Sequence, residues 1–395
     1  MKASGTPLFG FLALYAVLYA GFGVQSPYLP SLLQSRNLLP GAIALVLAAG
    51  TAIRLLAGPA AGRIADRLDA PKTIFAVCCG AAALAVLGYL PAQGLALLLV
   101  VGMLQSAALA PLAPLCDTLV LGTAAPARTD DPSAPGFQYG WVRGTGSAAF
   151  IVGSILSGEV IARLGITVVV WLNAALLAIA ALAVRLAPVL PPRQHPAPRS
   201  STGGHIAAMR VLLRLPLYRR VVLVAALILG SHAMHDSFAV IRWGAAGISP
   251  AIAGVLWSLS VAAEVVVFLF LGRRLLDRFG PAGAAAIAAL AGIVRWATMA
   301  ETASVAAMAA VEPLHGLTFA LLHLTCMELL AECVPQQLSA TALTLYGTVG
   351  IGGPTALLTL TSGQLYAHFG AHGFWFMAAL CAAALPLVPG LQRAR

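Results

Sequence analysis

The chain has 395 residues, of which 60% are hydrophobic and 9% are charged, and its formal net charge is +10 at pH 7. Soluble domains carry about 25% charged residues, so this composition excludes an ordinary soluble protein and indicates an integral membrane protein. The basic residues are spread over short loops without interleaved aromatic residues, which argues against binding to nucleic acid. All six cysteines lie in apolar segments and predict small buried side chains, not a disulfide framework.

Apolar stretches recur along the whole chain, and most are about 18–25 residues long, enough to cross a hydrocarbon core as a helix. The first stretch lacks a small-residue cleavage site, so we interpret it as a retained span and not as a signal peptide. The pattern predicts twelve transmembrane helices, at about 8–30, 41–62, 73–91, 94–122, 141–162, 166–187, 219–242, 250–272, 281–300, 303–332, 338–367 and 371–390.

The longest polar stretch separates the sixth and seventh predicted spans and is rich in proline, glycine, serine and arginine. This composition is typical of a linker. The sequence therefore predicts an N-terminal six-helix bundle at 1–187, a cytoplasmic linker at 188–218 and a C-terminal six-helix bundle at 219–395. Lysine and arginine concentrate in the loops after even-numbered spans, which predicts that both termini are cytoplasmic.

A short motif occurs at matching places in the two halves, predicted as the loops after spans two and eight. The first copy is Gly62-Arg-Ile-Ala-Asp66-Arg67, and the second is Arg273-Arg-Leu-Leu-Asp277-Arg278-Phe-Gly280. Taken alone, these residues could be charges that only set the topology. Together with the span count and the linker, they indicate a parallel duplication. Their predicted role is gating, by Asp66, Arg67, Asp277 and Arg278.

This motif resembles the signature of major facilitator transporters, with Asp69 where that pattern has glycine and Pro71 between its basic residues. A closer resemblance is to the phenylpropionate permease group, relatives of the lactose-permease type of proton symporter. It rests on Pro111-Leu-Ala-Pro-Leu-Cys-Asp117, Tyr139-Gly-Trp-Val-Arg143-Gly-Thr-Gly-Ser147, Leu256-Trp-Ser-Leu-Ser-Val-Ala-Ala-Glu264, Val294-Arg295-Trp296, and Leu314-His315-Gly-Leu-Thr-Phe319 continuing to His323.

The resemblance covers nearly the whole chain and implies the fold: an all-α membrane protein with twelve transmembrane helices in two pseudo-symmetric six-helix bundles. It implies a secondary active transporter in a bacterial-type inner membrane. Its partners would be a small-molecule substrate, protons and the lipid bilayer. We expect it to function as a monomer without a cofactor or bound metal.

Six ionisable residues fall inside apolar stretches: Arg54, Asp117, Arg143, Glu264, Arg295 and His323. Each costs about 2.5–3.5 kcal/mol at the centre of a membrane helix even on the lenient insertion scale, so each is a candidate functional residue. On span five, Arg143 shares a helical face with Ser147, Phe150 and Ser154, which predicts the lining of a cavity.

Guanidinium groups suit bidentate recognition of a carboxylate, so Arg143 and Arg54 are predicted to bind an anionic substrate. Aromatic side chains close by in helical projection suggest that the substrate carries an aryl group, although ordinary helix packing would explain any one of them equally well. The predicted binding residues are therefore Arg143, Arg54, Tyr15, Tyr19, Trp257, His315 and Phe319.

Proton coupling requires a carboxylate whose proton affinity changes with its surroundings. We predict Glu264 in this role with Arg295 and His323 as its modulators, and we place Asp117 in the proton-coupling group; a purely structural ion pair is the alternative. In the helical projection of span ten, a polar ridge contains Glu312, His315, Phe319, His323 and Cys326. The symporters that the chain resembles have a carboxylate where Cys326 stands.

Other functions are weaker alternatives. A proton-independent facilitator or an exporter of a sugar, nucleoside or drug fits the same fold. A transition-metal importer could use His232, Met234, His235 and Asp236, but no paired cysteines or repeated methionine motif support it. No hydrolase or metalloenzyme motif is present, so the chain is not predicted to be an enzyme. The roles of Asp236, Glu312 and Glu328 stay open.

Overall fold

A computed structural model describes residues 7–124, 139–188 and 202–392, and the regular structure in these ranges is helical throughout, without strands. The α-helices are α1 (Pro7–Gln25), α2 (Leu29–Ser35), α3 (Pro40–Arg67), α4 (Pro71–Leu87), α5 (Gly94–Leu109), α6 (Leu112–Ala124), α7 (Tyr139–Leu164), α8 (Val168–Ala183), α9 (Thr202–Arg214), α10 (Pro216–Gly230), α11 (Ala233–Ala245), α12 (Pro250–Val266), α13 (Gly272–Glu301), α14 (Val305–Val311), α15 (Leu322–Cys333), α16 (Ser339–Leu345), α17 (Gly353–Phe369) and α18 (Phe374–Ala384).

The helices match the predicted transmembrane pattern. Within the described ranges, nine helical stretches are long and apolar enough to cross a membrane. Two of them, Pro250–Glu301 and Gln336–Leu391, are 52 and 56 residues long and turn at Gly280 and Gly370, so each provides two crossings. The shorter apolar helix α4 completes the set. The all-α fold with twelve membrane spans is therefore confirmed.

The two Asp-Arg motifs are helical, which corrects their prediction as loops. The first forms the last turns of α3, and the second lies near the start of α13. Each motif lies in a helix that ends or turns where the backbone adopts a left-handed conformation. For the first copy this residue is Asp69 (φ 47°), and for the second it is Gly280 (φ 66°). Aspartate tolerates this conformation better than most residues, so Asp69 can replace the glycine of the signature.

The described chain divides into two compact units. The first unit holds 7–38, 49–124, 139–188 and 249–255, and in it α1 packs along α7 and α8. The second unit holds 39–48, 202–248 and 256–392, and in it α13 packs along α18. The predicted bundle boundaries stay a prediction. Part of the predicted linker is the helix α9, and residues 189–201 lie outside the described residues.

Small residues bring α1 and α7 close together, and this contact positions the first group of predicted site residues. A Cβ atom added at Gly153 on α7 would lie 2.5 Å from the carbonyl oxygen of Ala20 and 3.0 Å from its Cα atom. Only glycine permits this approach of two helix backbones. Tyr15 and Tyr19 on α1 are thereby held beside Arg143 on α7.

Irregular helical turns occur beside several predicted site residues. Span four breaks between α5 and α6, and Asp117 lies in the second turn of α6. In the second unit, π-helical turns at Val267–Leu271 and Gly316–Leu321 follow Glu264 and His315. Such turns are frequent at functional sites because they displace a side chain from the α-helical register.

Candidate functional site

The first unit contains a cluster around Arg143, here called the Arg143 cluster, made of Tyr15, Tyr19, Asp117, Tyr139 and Arg143. Asp117 Oδ1 accepts hydrogen bonds from the hydroxyl groups of Tyr15 and of Tyr139, the latter at 2.8 Å. Arg143 Nη1 donates to the hydroxyl oxygen of Tyr19 at 2.7 Å. The cluster brings together Asp117 and Arg143, two of the ionisable residues identified from the sequence, and Tyr139 is an additional member that the sequence reasoning missed.

Arg143 and Asp117 form a loose ion pair. Their closest atoms, Nη1 and Oδ1, are 3.7 Å apart, and the two side chains are 47% and 30% exposed. The guanidinium carbon also lies 5.6 Å from the centre of the Tyr19 ring, within the range of a cation–π contact. Two tyrosines already donate to Asp117, so this carboxylate does not need all the donors of Arg143. The guanidinium therefore retains N–H donors that can bind a second carboxylate.

An aromatic surface continues from this cluster along α1. The rings of Tyr15 and Tyr19 stack at 5.4 Å with an interplanar angle of 11°, and Phe22 meets Tyr19 edge-on at 5.4 Å. Arg54 is an exposed residue of α3. In the described chain, no hydrogen bond or ion pair joins Arg54 to Asp117 or Arg143. Its predicted role in substrate binding stays a prediction.

The first unit also contains a buried network of neutral amides. Gln25 and Gln105 exchange two hydrogen bonds of 2.9 Å, and Gln105 donates to Asn173 at 3.4 Å. Asn173 in turn donates to the carbonyl oxygen of Gly21 at 2.8 Å. All three amides are buried. This network joins α1, α5 and α8 without introducing a charge.

The second unit contains a buried charged cluster, here called the Glu312 cluster, made of His235, Ser260, Arg295 and Glu312. Arg295 Nη2 donates to Glu312 Oε2 at 2.7 Å, and both side chains are fully buried. The hydroxyl group of Ser260 donates to the same oxygen. His235 Nε2 lies 3.2 Å from the other oxygen, Oε1. The ionic partner of Arg295 is therefore Glu312, which the sequence had left without a role.

A second hydrogen bond of Arg295 leads to the predicted proton site. Its Nη1 donates to His315 Nδ1 at 3.1 Å, and His315 Nε2 lies 3.5 Å from Glu264 Oε2. Because Nδ1 accepts from a guanidinium, the ring proton of neutral His315 is on Nε2 and faces Glu264. His315 thus connects two members of the predicted proton-coupling group.

The predicted ridge on span ten is an aromatic stack. Phe319 is nearly parallel to His315, at 5.4 Å and 5°, and to His323, at 6.2 Å and 8°. The Nδ1 atom of His323 is buried and has no hydrogen-bond partner in the described chain. Trp257 stacks on His235 at 4.9 Å, so this predicted substrate residue belongs with the Glu312 cluster.

One predicted gating residue of the second unit, Asp277, belongs to a different network. Arg273 lies 2.9 Å from Asp277 and 3.0 Å from Glu328, which joins the start of α13 to α15. Arg278 lies over the ring of Phe279 at 5.4 Å. In the first unit, Asp66 and Arg67 are exposed at the end of α3. The gating role of all four predicted residues stays a prediction.

One further feature bears on the alternative of a transition-metal importer. In the part of the chain that the structure describes, no group of three or more histidine, cysteine, aspartate or glutamate side chains could hold a metal ion.

The sequence signal that could have identified Glu312 was its place on the same helical ridge as His315 and His323. Its pairing with Arg295 depends on how α13 packs against the chain after α14, which no spacing rule gives.

Comparison with known proteins decides the family. The sequence profile of the MFS_1 like family matches residues 10–377. The chain belongs to the MFS_1 like family. It is 31% identical over 383 residues to a probable 3-phenylpropionic acid transporter of Escherichia coli (strain K12), covering 96% of this chain and 97% of that protein. It is 26% identical over 377 residues to a maltose permease of Geobacillus stearothermophilus, covering 95% and 90%.

Solved structures show the same fold. A mutant form of the nucleoside transporter NupG superposes with a TM-score of 0.85 at 17% identity, covering 98% of this chain and 100% of that one. A bacterial homologue of the human lysosomal transporter Spinster gives a TM-score of 0.71 at 15% identity, covering 98% and 96%. This MFS_1 like protein is therefore a multi-pass membrane transporter of the major facilitator type and not an enzyme.

Proposed function

We propose that this MFS_1 like protein is a proton-coupled symporter that carries a small aryl-alkyl carboxylate across the membrane by alternating access. The observation that carries the proposal is the half-exposed Arg143 beside the Tyr19 ring, on which the Tyr15 and Phe22 rings pack. It supplies a cation and an aromatic surface on adjacent helices of one unit. An aryl-alkyl carboxylate has the two complementary groups.

The arrangement of Arg143 favours exchange of partners. At 3.7 Å, its contact with Asp117 is longer than a charge-assisted hydrogen bond, which is about 2.7–2.9 Å. A substrate carboxylate that binds the guanidinium in a bidentate manner gains two such bonds. Asp117 stays stabilised meanwhile by Tyr15 and Tyr139. Arg143 can therefore bind substrate without leaving Asp117 unpaired.

The substrate class is supported by a relative. The Escherichia coli protein that is 31% identical to this chain is named as a probable 3-phenylpropionic acid transporter. That acid has a phenyl ring and a carboxylate separated by two methylene groups. We propose the same class for this chain, imported together with protons.

For proton coupling, we propose Glu264 as the carboxylate that gains and loses the proton. Its neighbour His315 presents Nε2 at 3.5 Å, and Arg295 holds the other ring nitrogen. A change in this contact during transport would alter the proton affinity of Glu264. His323 on the same aromatic stack and Asp117 in the first unit are proposed as further members of the proton-coupling group.

The remaining parts of the proposal concern the setting of the protein. We propose a bacterial-type inner membrane with both termini in the cytoplasm, because lysine and arginine concentrate on that side of the predicted topology. We further propose that one chain is sufficient for transport.

The direct test of substrate binding is uptake of labelled 3-phenylpropionate into proteoliposomes by the Arg143→Ala protein. Hydrogen bonds to charged groups contribute about 1.5–3 kcal/mol, so we expect the initial rate at low substrate concentration to fall roughly 10- to 100-fold. Arg163→Ala is the matched control, because Arg163 is an exposed arginine of the same helix, 3.9 Å from Glu159.

The control should transport like the parent protein. If Arg143→Ala reconstitutes at parental levels and takes up the acid at the parental rate, Arg143 is not part of the binding site. If the parent protein takes up a sugar or nucleoside but not the acid, the proposed substrate class is wrong.

A further inference from the structure

His235 lies between two carboxylates that differ in exposure. Its Nδ1 atom is 3.2 Å from Oδ1 of Asp236, and its Nε2 atom is 3.2 Å from Oε1 of Glu312. The side chain of Asp236 is 54% exposed, whereas that of Glu312 is fully buried and that of His235 is 3% exposed. One imidazole ring therefore connects an accessible carboxylate to a buried one.

The contacts assign protons to this ring. Neutral imidazole has one N–H donor and one acceptor nitrogen, whereas imidazolium donates from both nitrogens. A neutral His235 would place a lone pair against one of the two carboxylate oxygens. Imidazolium satisfies both contacts, and its charge balances Asp236 in the same way that Arg295 balances Glu312.

The remaining surroundings of His235 are mostly apolar rings. Trp257 stacks on it at 4.9 Å, and Trp243 and Trp296 each lie 6.0 Å away. The other charged or titratable groups that interact with the ring are Arg295, His232 and His315, and the two further histidine rings lie 4.9 Å from each other. The tryptophans exclude water from the ring faces, so its two nitrogens are its polar contacts with the protein.

We propose that Asp236, His235 and Glu312 form a proton-transfer path from the accessible surface to the buried Glu312 cluster. The proposal rests on the proton coupling proposed above, and it adds three residues to which no role in transport has been given. In the transfer, the N–H bond at Nε2 of the imidazolium breaks and an O–H bond forms on Glu312. The ring is left neutral with its remaining proton on Nδ1.

Protons from water reach the ring through Asp236. In the step that precedes this transfer, a protonated Asp236 donates to Nδ1 of a neutral ring that carries its proton on Nε2, which gives imidazolium and the aspartate anion. Each passage therefore moves one proton from Asp236 to Glu312, and the reverse transfer releases it. Each passage leaves His235 with one proton but moves that proton from Nε2 to Nδ1, and the reverse transfer restores the first tautomer.

Protonation of Glu312 has a consequence for the predicted proton site. It removes the negative charge that Arg295 Nη2 contacts at 2.7 Å. Arg295 also donates to His315, and His315 adjoins Glu264. Loss of the ion pair would free Arg295 to strengthen its contacts on that side. The path thereby connects an exposed carboxylate to Glu264 through four intervening side chains.

The test separates uphill uptake from exchange, using labelled 3-phenylpropionate in proteoliposomes. Accumulation driven by an imposed pH gradient requires net proton transfer, whereas counterflow exchange at equal pH does not. For His235→Gln and for Asp236→Asn we expect gradient-driven accumulation to fall at least tenfold, with counterflow within twofold of the parent protein. Asp236 is exposed, so its variant tests the path even if the buried His235→Gln protein does not fold.

His368→Gln is the matched control, because His368 is an exposed histidine of the same unit whose Nδ1 atom bonds to the carbonyl oxygen of Gln364 in its own helix, α17. It should behave like the parent protein in both assays. The path is wrong if the Asp236→Asn protein accumulates the acid like the parent. It is also wrong if both variants lose counterflow and accumulation equally, because that result indicates a structural role.

These outcomes are distinct from failure of the proposed function. If the parent protein shows no gradient-driven accumulation, proton coupling is wrong and the path is wrong with it. If the parent protein accumulates the acid and the two variants do so equally well, only the path is overturned.

Discussion

Arg295 and Glu312 are fully buried, and their mutual contact is what makes the burial of either one tolerable. Removing one partner of such a pair costs about 3–5 kcal/mol, because the remaining charge is left without compensation. Substitutions of these two residues would therefore confuse loss of stability with loss of function. Glu264 is partly exposed and is a cleaner probe of proton coupling.

For Glu264→Gln we expect gradient-driven accumulation of 3-phenylpropionate to be lost, while counterflow exchange persists. Glutamine preserves the shape of the side chain and can still meet His315, but it cannot take up and release a proton. The measurement is the ratio of accumulated to exchanged substrate in proteoliposomes. Glu159→Gln serves as the control, because Glu159 is an exposed carboxylate on α7 that receives the same substitution.

A Glu264→Gln protein that accumulates the acid like the parent would eliminate Glu264 as the proton site. The structure would then leave Glu312 as the next carboxylate to consider, because it is connected to Glu264 through Arg295 and His315.

Several site residues could be predicted from the sequence because ionisable groups are rare in apolar helices. Asp117, Arg143, Glu264 and Arg295 were identified on that basis. Asp117 and Arg143 lie in the Arg143 cluster, Arg295 lies in the Glu312 cluster, and Glu264 lies 3.5 Å from His315. Their partners could not all be predicted. The contact of Arg295 with Glu312 depends on the packing of separate helices, and the sequence carries no rule for that register.

At the scale of helices, the pair α1 and α7 determines the geometry of the Arg143 cluster. Gly153→Ala places a Cβ atom 2.5 Å from the carbonyl oxygen of Ala20, so the two helices must separate. Overpacking of this kind costs about 1–3 kcal/mol. We expect a lower apparent melting temperature in detergent together with slower uptake of the acid.

Gly144→Ala is the control for this prediction. It lies on the same helix, but a Cβ atom added there meets nothing within 4 Å. Alanine is the better helix former, so the melting temperature should stay the same or rise. Equal melting temperatures for the two variants would show that the close approach of α1 and α7 does not require glycine at position 153.

Helix positions were predictable because hydrophobic length alone identifies a membrane span. The ends of the helices were less predictable. α3 continues to Arg67, and the second motif is helical as far as the turn at Gly280, because hydropathy reports where the membrane ends and not where the backbone stops being helical. The π-helical turns after Glu264 and His315 have no hydrophobic pattern of their own.

At the scale of the whole molecule, the two units differ in their buried polar chemistry. The first contains the neutral network of Gln25, Gln105 and Asn173, and the second contains the charged cluster of Glu312, Arg295 and His235. A neutral amide network cannot exchange protons at physiological pH, whereas carboxylates and histidines can. This difference supports the proposed proton transfer through the second unit, with Asp117 as the proposed proton-coupling residue of the first.

The family and fold could be predicted from the repeated motif, the twelve spans and the resemblance of several segments to a known permease group. Those signals are distributed over the chain and do not depend on the detailed packing of any one helix. The substrate and its coupling to protons are finer properties, because they depend on a few side chains such as Arg143 and Glu264.

The central claim, proton-coupled transport of an aryl-alkyl carboxylate, is tested most directly with the purified parent protein in proteoliposomes. Uptake of labelled 3-phenylpropionate is compared at equal pH and with the interior more alkaline than the exterior. We expect the internal concentration to exceed the external one only when the gradient is present, and a protonophore to abolish the excess. Uptake that reaches equilibrium and no more, with or without the gradient, would contradict the claim.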